Sequence, residues 1–283
     1  MGAHALAFRP TPFASNRDLH MTLAPPLTAP HQLAPALRDP GHAVCSAAGL
    51  CEWLGVPLDA LLALAPTWND LPADAYLRDG GRYRRRRHSC FVVEAGSVQP
   101  VPHRAHWQPL EYNALHGGLE RWFEPIKPPV AGASAWLQLL RGLSALCTEV
   151  RGARPWFVEA HQFRIDTTDG IGRPTPEGAH RDGVDFVAVL LVGRVGVKGG
   201  ETRVFEAAGP HGLRFTMTEP WTLLMLDDAR VVHESTPIQP LHDGGYRDTL
   251  VLTFRSGGFQ GPAVKAQVPQ GQALQRRDPQ GPA

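Results

Sequence analysis

Val231-Val232-His233-Glu234-Ser235-Thr236-Pro237, read together with the earlier run His180-Arg181-Asp182, decides what kind of chain this is. His180 and Asp182 lie two apart, so on an extended segment both side chains leave the same face. His233 must then arrive from a strand several elements later. The gap, 233 − 182 = 51 residues, holds about four short strands at ~8–12 residues each. Brought together, two imidazoles and one carboxylate form a 2-His-1-carboxylate facial triad, which leaves about half of an octahedral Fe(II) shell open for substrate and O₂. Such a site points to oxygenase chemistry at C–H bonds that no acid–base side chain can reach.

Strand-like segments surround these motifs at 156–165, 184–192, 202–206, 213–217, 221–226, 230–233 and 246–255. Asp169-Gly170, Lys198-Gly199-Gly200, Gly209-Pro210 and Asp243-Gly244-Gly245 punctuate them as turns. Ahead of the strands, 133–150 reads as a helix with Ala135, Leu139, Leu140, Leu143, Leu146, Cys147 and Val150 in one apolar stripe. Residues 43–66 read as two short helices broken at Gly55-Val56-Pro57, and Cys90-Phe91-Val92-Val93 has strand character. Helices followed by a dense array of strands predict a mostly β chain with N-terminal helices (α+β), a sandwich or barrel under a helical layer. Residues 1–40, rich in Pro and Ala, are expected to be a flexible N-terminal segment, and Met21 is an alternative start. Residues 41–260 are expected to be a single domain, and 261–283 a flexible C-terminal tail.

Composition narrows the function classes. Of 283 residues, 43% are hydrophobic and 19% charged, which suits a globular chain with a sizeable core. A net charge of +1 gives no electrostatic case for nucleic acid or an anionic membrane. No apolar run approaches the ~20 residues of a membrane span, and Arg9, Pro10, Pro12, Asn16, Arg17 and Asp18 interrupt any signal-peptide core. Cys45, Cys51, Cys90 and Cys147 show neither CxxC spacing nor disulfide density, so they read as reduced thiols of a cytoplasmic protein. The oligomeric state is left open.

Arg247 follows His233 by 247 − 233 = 14 positions and opens the apolar segment Arg247-Asp248-Thr249-Leu250-Val251-Leu252-Thr253-Phe254. A guanidinium at the mouth of a buried strand calls for a buried anion, and it binds a carboxylate through two parallel hydrogen bonds. With this residue in place the sequence resembles the Fe(II)/2-oxoglutarate-dependent dioxygenases. Their pattern is His-x-Asp, a distal His, and an Arg about one strand later, often as Arg-x-Ser/Thr; Arg247-Asp248-Thr249 has that form.

Pro174-Thr175-Pro176-Glu177-Gly178-Ala179-His180-Arg181-Asp182-Gly183-Val184-Asp185-Phe186, then Gly199-Gly200-Glu201-Thr202 and His233-Glu234-Ser235-Thr236-Pro237-Ile238, is similar to the signature of a bacterial subfamily. That subfamily includes free-amino-acid hydroxylases of the L-isoleucine 4-hydroxylase type and the biofilm-stress-and-motility (BsmA-like) proteins. The resemblance runs from about Arg82 to Arg255. It implies a double-stranded β-helix (jelly roll) core, with Fe(II) on His180, Asp182 and His233. It also implies 2-oxoglutarate as co-substrate, its far carboxylate on Arg247 with Thr249, and the Thr202 hydroxyl within reach of it. O₂ is the oxidant, and no catalytic residue is expected beyond the metal site. The implied reaction is hydroxylation of the side chain of a small free amino acid.

Several residues keep two readings. His161, on a predicted strand, is a packed core histidine or a fourth ligand in a three-His cupin site. Arg164 and Glu159 are candidates for the substrate's carboxylate and ammonium, but alternation puts them on opposite faces, so at most one serves. The run Arg82-Tyr83-Arg84-Arg85-Arg86-Arg87-His88 reads as a solvated edge strand, with alternate arginines paired to acids in the core layer, rather than a nucleic-acid patch. Asp227-Asp228 reads as a hairpin turn, and Asp248 as pointing away from the iron. Arg255, 255 − 233 = 22 positions after the distal His, competes with Arg247 for the co-substrate. The alternative to an enzyme is a catalytically degenerate jelly roll acting in binding or stress response.

Overall fold

The computed structural model describes residues 23–113 and 115–261. The expectations for residues 1–22 and for the tail from 262 lie outside the described residues. The helices are α1 (Leu33–Arg38), α2 (Ala47–Leu54), α3 (Leu58–Leu62), α4 (Pro128–Ala131) and α5 (Ser134–Arg151). The strands are β1 (His42–Cys45), β2 (Arg84–Glu94), β3 (Ser97–Pro100), β4 (Trp156–Asp166), β5 (Phe186–Val195), β6 (Val197–Gly199), β7 (Thr202–Glu206), β8 (Gly212–Phe215), β9 (Leu223–Asp227), β10 (Val231–Ser235), β11 (Ile238–Pro240) and β12 (Tyr246–Arg255).

Local chemistry sets the helix ends. The Ser46 hydroxyl accepts from the Gly49 N–H at 3.1 Å and caps α2, which stops at Gly55 in the left-handed region. In α5, Ala135, Trp136, Leu139, Leu140, Leu143, Leu146 and Cys147 are buried along one stripe, as expected for a helix lying on a core.

One antiparallel sheet runs in the order β1-β9-β5-β12-β4-β2-β3. Facing it are the smaller sheets β10-β7-β8 and β11-β6, completing a double-stranded β-helix. Alternation assigns the faces. Val158, Ala160, Leu250, Leu252 and Phe254 pack with the helices in one core. Val187, Leu191, Val204, Phe215 and Val231 form a second core between the sheets. Odd-numbered residues of β4 and β12 and even-numbered residues of β2 therefore face the inter-sheet space, part of which is a cavity.

Three expectations are corrected. Residues 23–40 are not a flexible segment throughout: Leu33, Ala34 and Leu37 are buried, and the Arg38 guanidinium donates to Glu149 O at 2.5 Å. Their apolar face was hidden by the Pro/Ala composition. The segment opening at residue 43 is first a strand, β1, paired antiparallel with β9 as Ala43↔Met225 and Val44↔Leu224. The basic run is not a solvated edge, although the expected pairing of alternate arginines with a buried acid holds for Arg84 and Arg86 on Asp74. β4 pairs along β2, Arg84 and Arg86 are buried on the inner face, and of the run's arginines only Arg82 and Arg85 are exposed. Arg84 Nε donates to Asp74 at 2.7 Å, which offsets part of its desolvation.

Leu140, fully buried between α5 and the main sheet, gives a test of this packing. Leu140→Ala should lower unfolding free energy by about 2–5 kcal/mol, read as a lower urea midpoint at unchanged slope.

Candidate active site

Backbone hydrogen bonds bring the first two donors together. His180 N–H donates to His233 O and His233 N–H to His180 O, both at 3.0 Å, an isolated antiparallel bridge. The imidazoles lie side by side with ring centroids 4.7 Å apart. Asp182 closes the triangle: Oδ1 is 3.9 Å from His180 Nε2 and Oδ2 is 3.8 Å from His233 Nε2. One donor atom from each of the three residues lies within 4.8 Å of the others.

Protonation suits a divalent ion. His180 Nδ1–H donates to Gly178 O at 3.0 Å, which leaves the Nε2 lone pair facing Asp182. Burial, and then the neighbouring His180, push the His233 pKa down to about 3, so its imidazole is neutral. Burial lowers the His180 pKa, but Asp182 and Glu177 outweigh burial and raise it. A bound divalent cation would displace that proton, and two imidazoles, one carboxylate and no thiolate then fit Fe(II).

Asp182 is held by a residue to which the sequence assigned only a turn. The buried Asp228 carboxylate accepts from the N–H groups of Asp182, Gly183 and Val184 at 2.9, 2.8 and 3.1 Å. Burial and then Asp182 raise its pKa, yet those three donors favour the carboxylate. Gly183 sits at φ +72°, and a Cβ there would lie 2.4 Å from the Tyr112 ring, so the turn needs glycine. Gln108 Nε2 donates to Asp182 Oδ1 at 3.3 Å.

Arg247, on the inner face of β12, is buried, and its Nε and Nη2 have no partner among the described residues. Burial, then Arg194, push its pKa down to about 10, a cost that an anion would relieve. A Cβ on Gly200 (φ +68°) would lie 3.0 Å from Ile238 Cγ2 and 3.4 Å from Arg247 Cδ, so the Gly199-Gly200 turn gives the guanidinium its passage. Thr249 lines the same cavity, and Trp68 Nε1–H fixes its carbonyl at 3.1 Å. Arg255 lines the cavity from the other end of β12, but its donors are engaged by Gly183 O at 2.5 Å and Gly258 O at 3.0 Å. Thr202 is buried with its hydroxyl unpartnered among the described residues, but its cross-strand neighbour Ser235 forms the cavity wall.

The cavity, about 1040 Å³ with its open mouth, is lined by the triad and by Arg247 together. Its other wall carries Glu159 and His161 on the inner face of β4. Glu159 accepts from His106 Nδ1 at 2.5 Å and from His88 Nε2 at 3.1 Å. These imidazoles outweigh burial and hold the carboxyl well below its usual range. His161 belongs to this second cluster, not to the triad, and its Nδ1 accepts from Arg86 Nη2 at 2.6 Å. Donor atoms of His88, His106, Glu159 and His161 also approach within 4.8 Å, but the Arg86 cation on His161 opposes a second metal ion there.

Arg164 is removed from the substrate candidates. It lies on the outer face, where Nε and Nη2 grip Asp248 at 2.8 and 2.7 Å. Asp248 thus points away from the triad, as alternation required. Sequence reasoning missed Gln108 and Arg121, which come from the irregular 101–126 segment and carry no periodic signal. It quoted Glu177 within a motif but gave it no role.

The model of the 2OG-Fe dioxygenase family matches residues 65–253. Among solved structures, a bsmA homolog from Methylobium petroleophilum PM1 is 52% identical, covering 85% of this chain and 98% of its own, with TM-score 0.81. IDO from Bacillus thuringiensis is 16% identical over 81% of this chain and 96% of its own, with TM-score 0.66. The Fe(II)/(alpha)ketoglutarate-dependent dioxygenase TqaL is 19% identical over 80% and 86%, with TM-score 0.63. These last two show the fold alone. No curated protein matches the chain. The family model spans most of the chain and every residue of the triad, and the protein belongs to the 2OG-Fe dioxygenases, enzymes of Fe(II), 2-oxoglutarate and O₂.

Proposed function

We propose that this dioxygenase hydroxylates the side chain of a small free amino acid, with Fe(II) on His180, Asp182 and His233 and the far carboxylate of 2-oxoglutarate on Arg247, assisted by Thr249. One observation carries the site assignment: the triad and a buried guanidinium, two of whose donors have no partner among the described residues, share one cavity. When bound, Fe(II) and 2-oxoglutarate couple conversion of the co-substrate into succinate and CO₂ to insertion of an oxygen atom from O₂ into a C–H bond. The chain's own residues orient and enclose. Arg247 fixes the co-substrate by a planar fork. Asp228 and Gln108 hold Asp182, and the buried walls exclude water.

The amino-acid reading rests on the signature around His180, on likeness to the bsmA homolog, and on the cavity's lining. Val184, Val189 and Val251 offer an apolar surface for an aliphatic side chain, and Glu177 and Arg121 stand on the same wall system with opposite charges. Selection among aliphatic side chains then rests on pocket shape, worth ~1–3 kcal/mol per methylene. A degenerate binding protein would need neither the clustered His180, Asp182 and His233 donors nor the buried Arg247 guanidinium beside them.

Succinate release from 2-oxoglutarate, with and without each L-amino acid, tests the reading. Stimulation by at least one amino acid, with a product heavier by one oxygen, is the expected result; release that no amino acid stimulates would remove it. Asp228→Ala should weaken Mn(II) binding about 10–100-fold in equilibrium dialysis, the usual effect of losing a group that orients a ligand. Arg247→Lys should raise the apparent KM for 2-oxoglutarate about tenfold or more, since a point charge replaces a two-donor fork, and leave Mn(II) affinity unchanged. If Arg255→Lys produced that effect instead, the co-substrate would sit at the other end of β12.

A further inference from the structure

Two charged groups on the cavity wall belong neither to the triad's donor set nor to the Arg247 end of the cavity. Glu177 precedes His180 by one turn of chain, with Oε1 3.6 Å from His180 Nε2. Its Oε2 is buried and has no partner among the described residues. The segment carrying it is pinned to β10: the Thr175 hydroxyl donates to Ser235 O at 3.0 Å and accepts from Ser235 N–H at 3.1 Å. The segment is therefore held in place, while neither oxygen of the carboxylate accepts a hydrogen bond among the described residues. It is not one of the three clustered donors of the metal set.

Arg121 is only 2% exposed. Its backbone is bridged to His106 by reciprocal N–H···O=C bonds of 2.9 Å. Nη2 donates to Gln108 Oε1 at 2.8 Å, and Gln108 Nε2 in turn donates to Asp182 Oδ1 at 3.3 Å. Asn113 Nδ2 donates to the same Gln108 oxygen at 3.1 Å and so fixes which way the amide faces. The guanidinium thus stands one side-chain amide away from the triad, and its Nε has no partner among the described residues. Neighbouring cations have other commitments. Arg84 is bonded to Asp74, and Arg86 lies against the Phe123 and Phe163 rings with Nη2 on His161.

Glu177 is near enough to stabilise the Arg121 cation, yet the two form no ion pair. A buried acceptor and a buried donor of opposite charge, both lining the same cavity, match a ligand with an ammonium and a carboxylate on one carbon. We propose that Glu177 receives the α-ammonium and Arg121 the α-carboxylate of the substrate, directing its side chain toward the triad. The assignment rests on the amino-acid reading above and replaces the pair Glu159 and Arg164 with residues whose charges face the cavity. Glu159 already accepts from both His88 and His106 through its Oε2.

The test is calorimetric and uses no turnover. Full-length protein is loaded with Zn(II) and 2-oxoglutarate and titrated with the twenty L-amino acids. The tightest binder is then compared with its N-acetyl and carboxamide derivatives. Each derivative should bind wild type at least tenfold more weakly than the free amino acid. Glu177→Gln should lose at least tenfold for the free amino acid, about 1.4 kcal/mol, but less than twofold for the N-acetyl derivative. Arg121→Lys should show the same selective loss, with the carboxamide spared. Should either variant fail to fold, the wild-type derivatives decide alone: an N-acetyl amino acid bound as tightly as the free one overturns the assignment. If Glu177→Gln binds the free amino acid like wild type, this proposal falls and the amino-acid reading stands. If wild type binds none of the twenty, both fall.

Discussion

The reciprocal hydrogen bonds between the backbones of His180 and His233 fix the site from which everything else is measured. His180 and Asp182 lie on a segment with no strand of its own, so that bridge, together with Asp228, sets their register. One residue of slippage would turn both side chains to the opposite face and dissolve the donor set. Asp228 supplies the rest of the restraint. Its charge-assisted bonds to three successive N–H groups are of a kind worth about 1.5–3 kcal/mol each. The donor geometry is thus built before any ion arrives, and binding costs little reorganisation.

Charge is distributed in the cavity with the same economy. Burial of Arg84, Arg86, Arg121 and Arg247 is costly unless each cation finds a partner. Asp74 takes Arg84, while Arg86 has two aromatic faces and an imidazole. Arg247 keeps donors unassigned, which is the condition expected of a group whose partner is the co-substrate. Arg255, though on the same strand, has exchanged that freedom for a structural role, tying the Gly183 turn to the chain at Gly258.

The triad and Arg247 were legible because a His-x-Asp pair, a distal His and an Arg 14 positions later form one spaced set among predicted strands, although no member is rare by itself. The strand array and α5 were legible for the same reason, since alternation and a helical stripe survive in a single sequence. β1 was misread as helix because Ala43, Val44 and Cys45 run apolar into a true helix, and only pairing with β9 makes them a strand. The basic run was expected to pair alternate arginines with acids, but nothing in Arg84-Arg85-Arg86-Arg87 announces which acid it is, Asp74, or that the strand is covered and His161 accepts from Arg86. Gln108 and Arg121 lie in an irregular segment, where position depends on tertiary contacts alone. Arg164 and Glu159 show the limit of alternation, which correctly put them on opposite faces but could not say that Glu159 would be consumed by two histidines.

The most direct measurement is anomalous diffraction from crystals grown with Mn(II), which does not turn over, and 2-oxoglutarate. One strong peak is expected at bonding distance from His180, Asp182 and His233, with the far carboxylate of 2-oxoglutarate on the Arg247 guanidinium. A peak among His88, His106, Glu159 and His161 instead, or 2-oxoglutarate lying away from Arg247, would contradict the assignment.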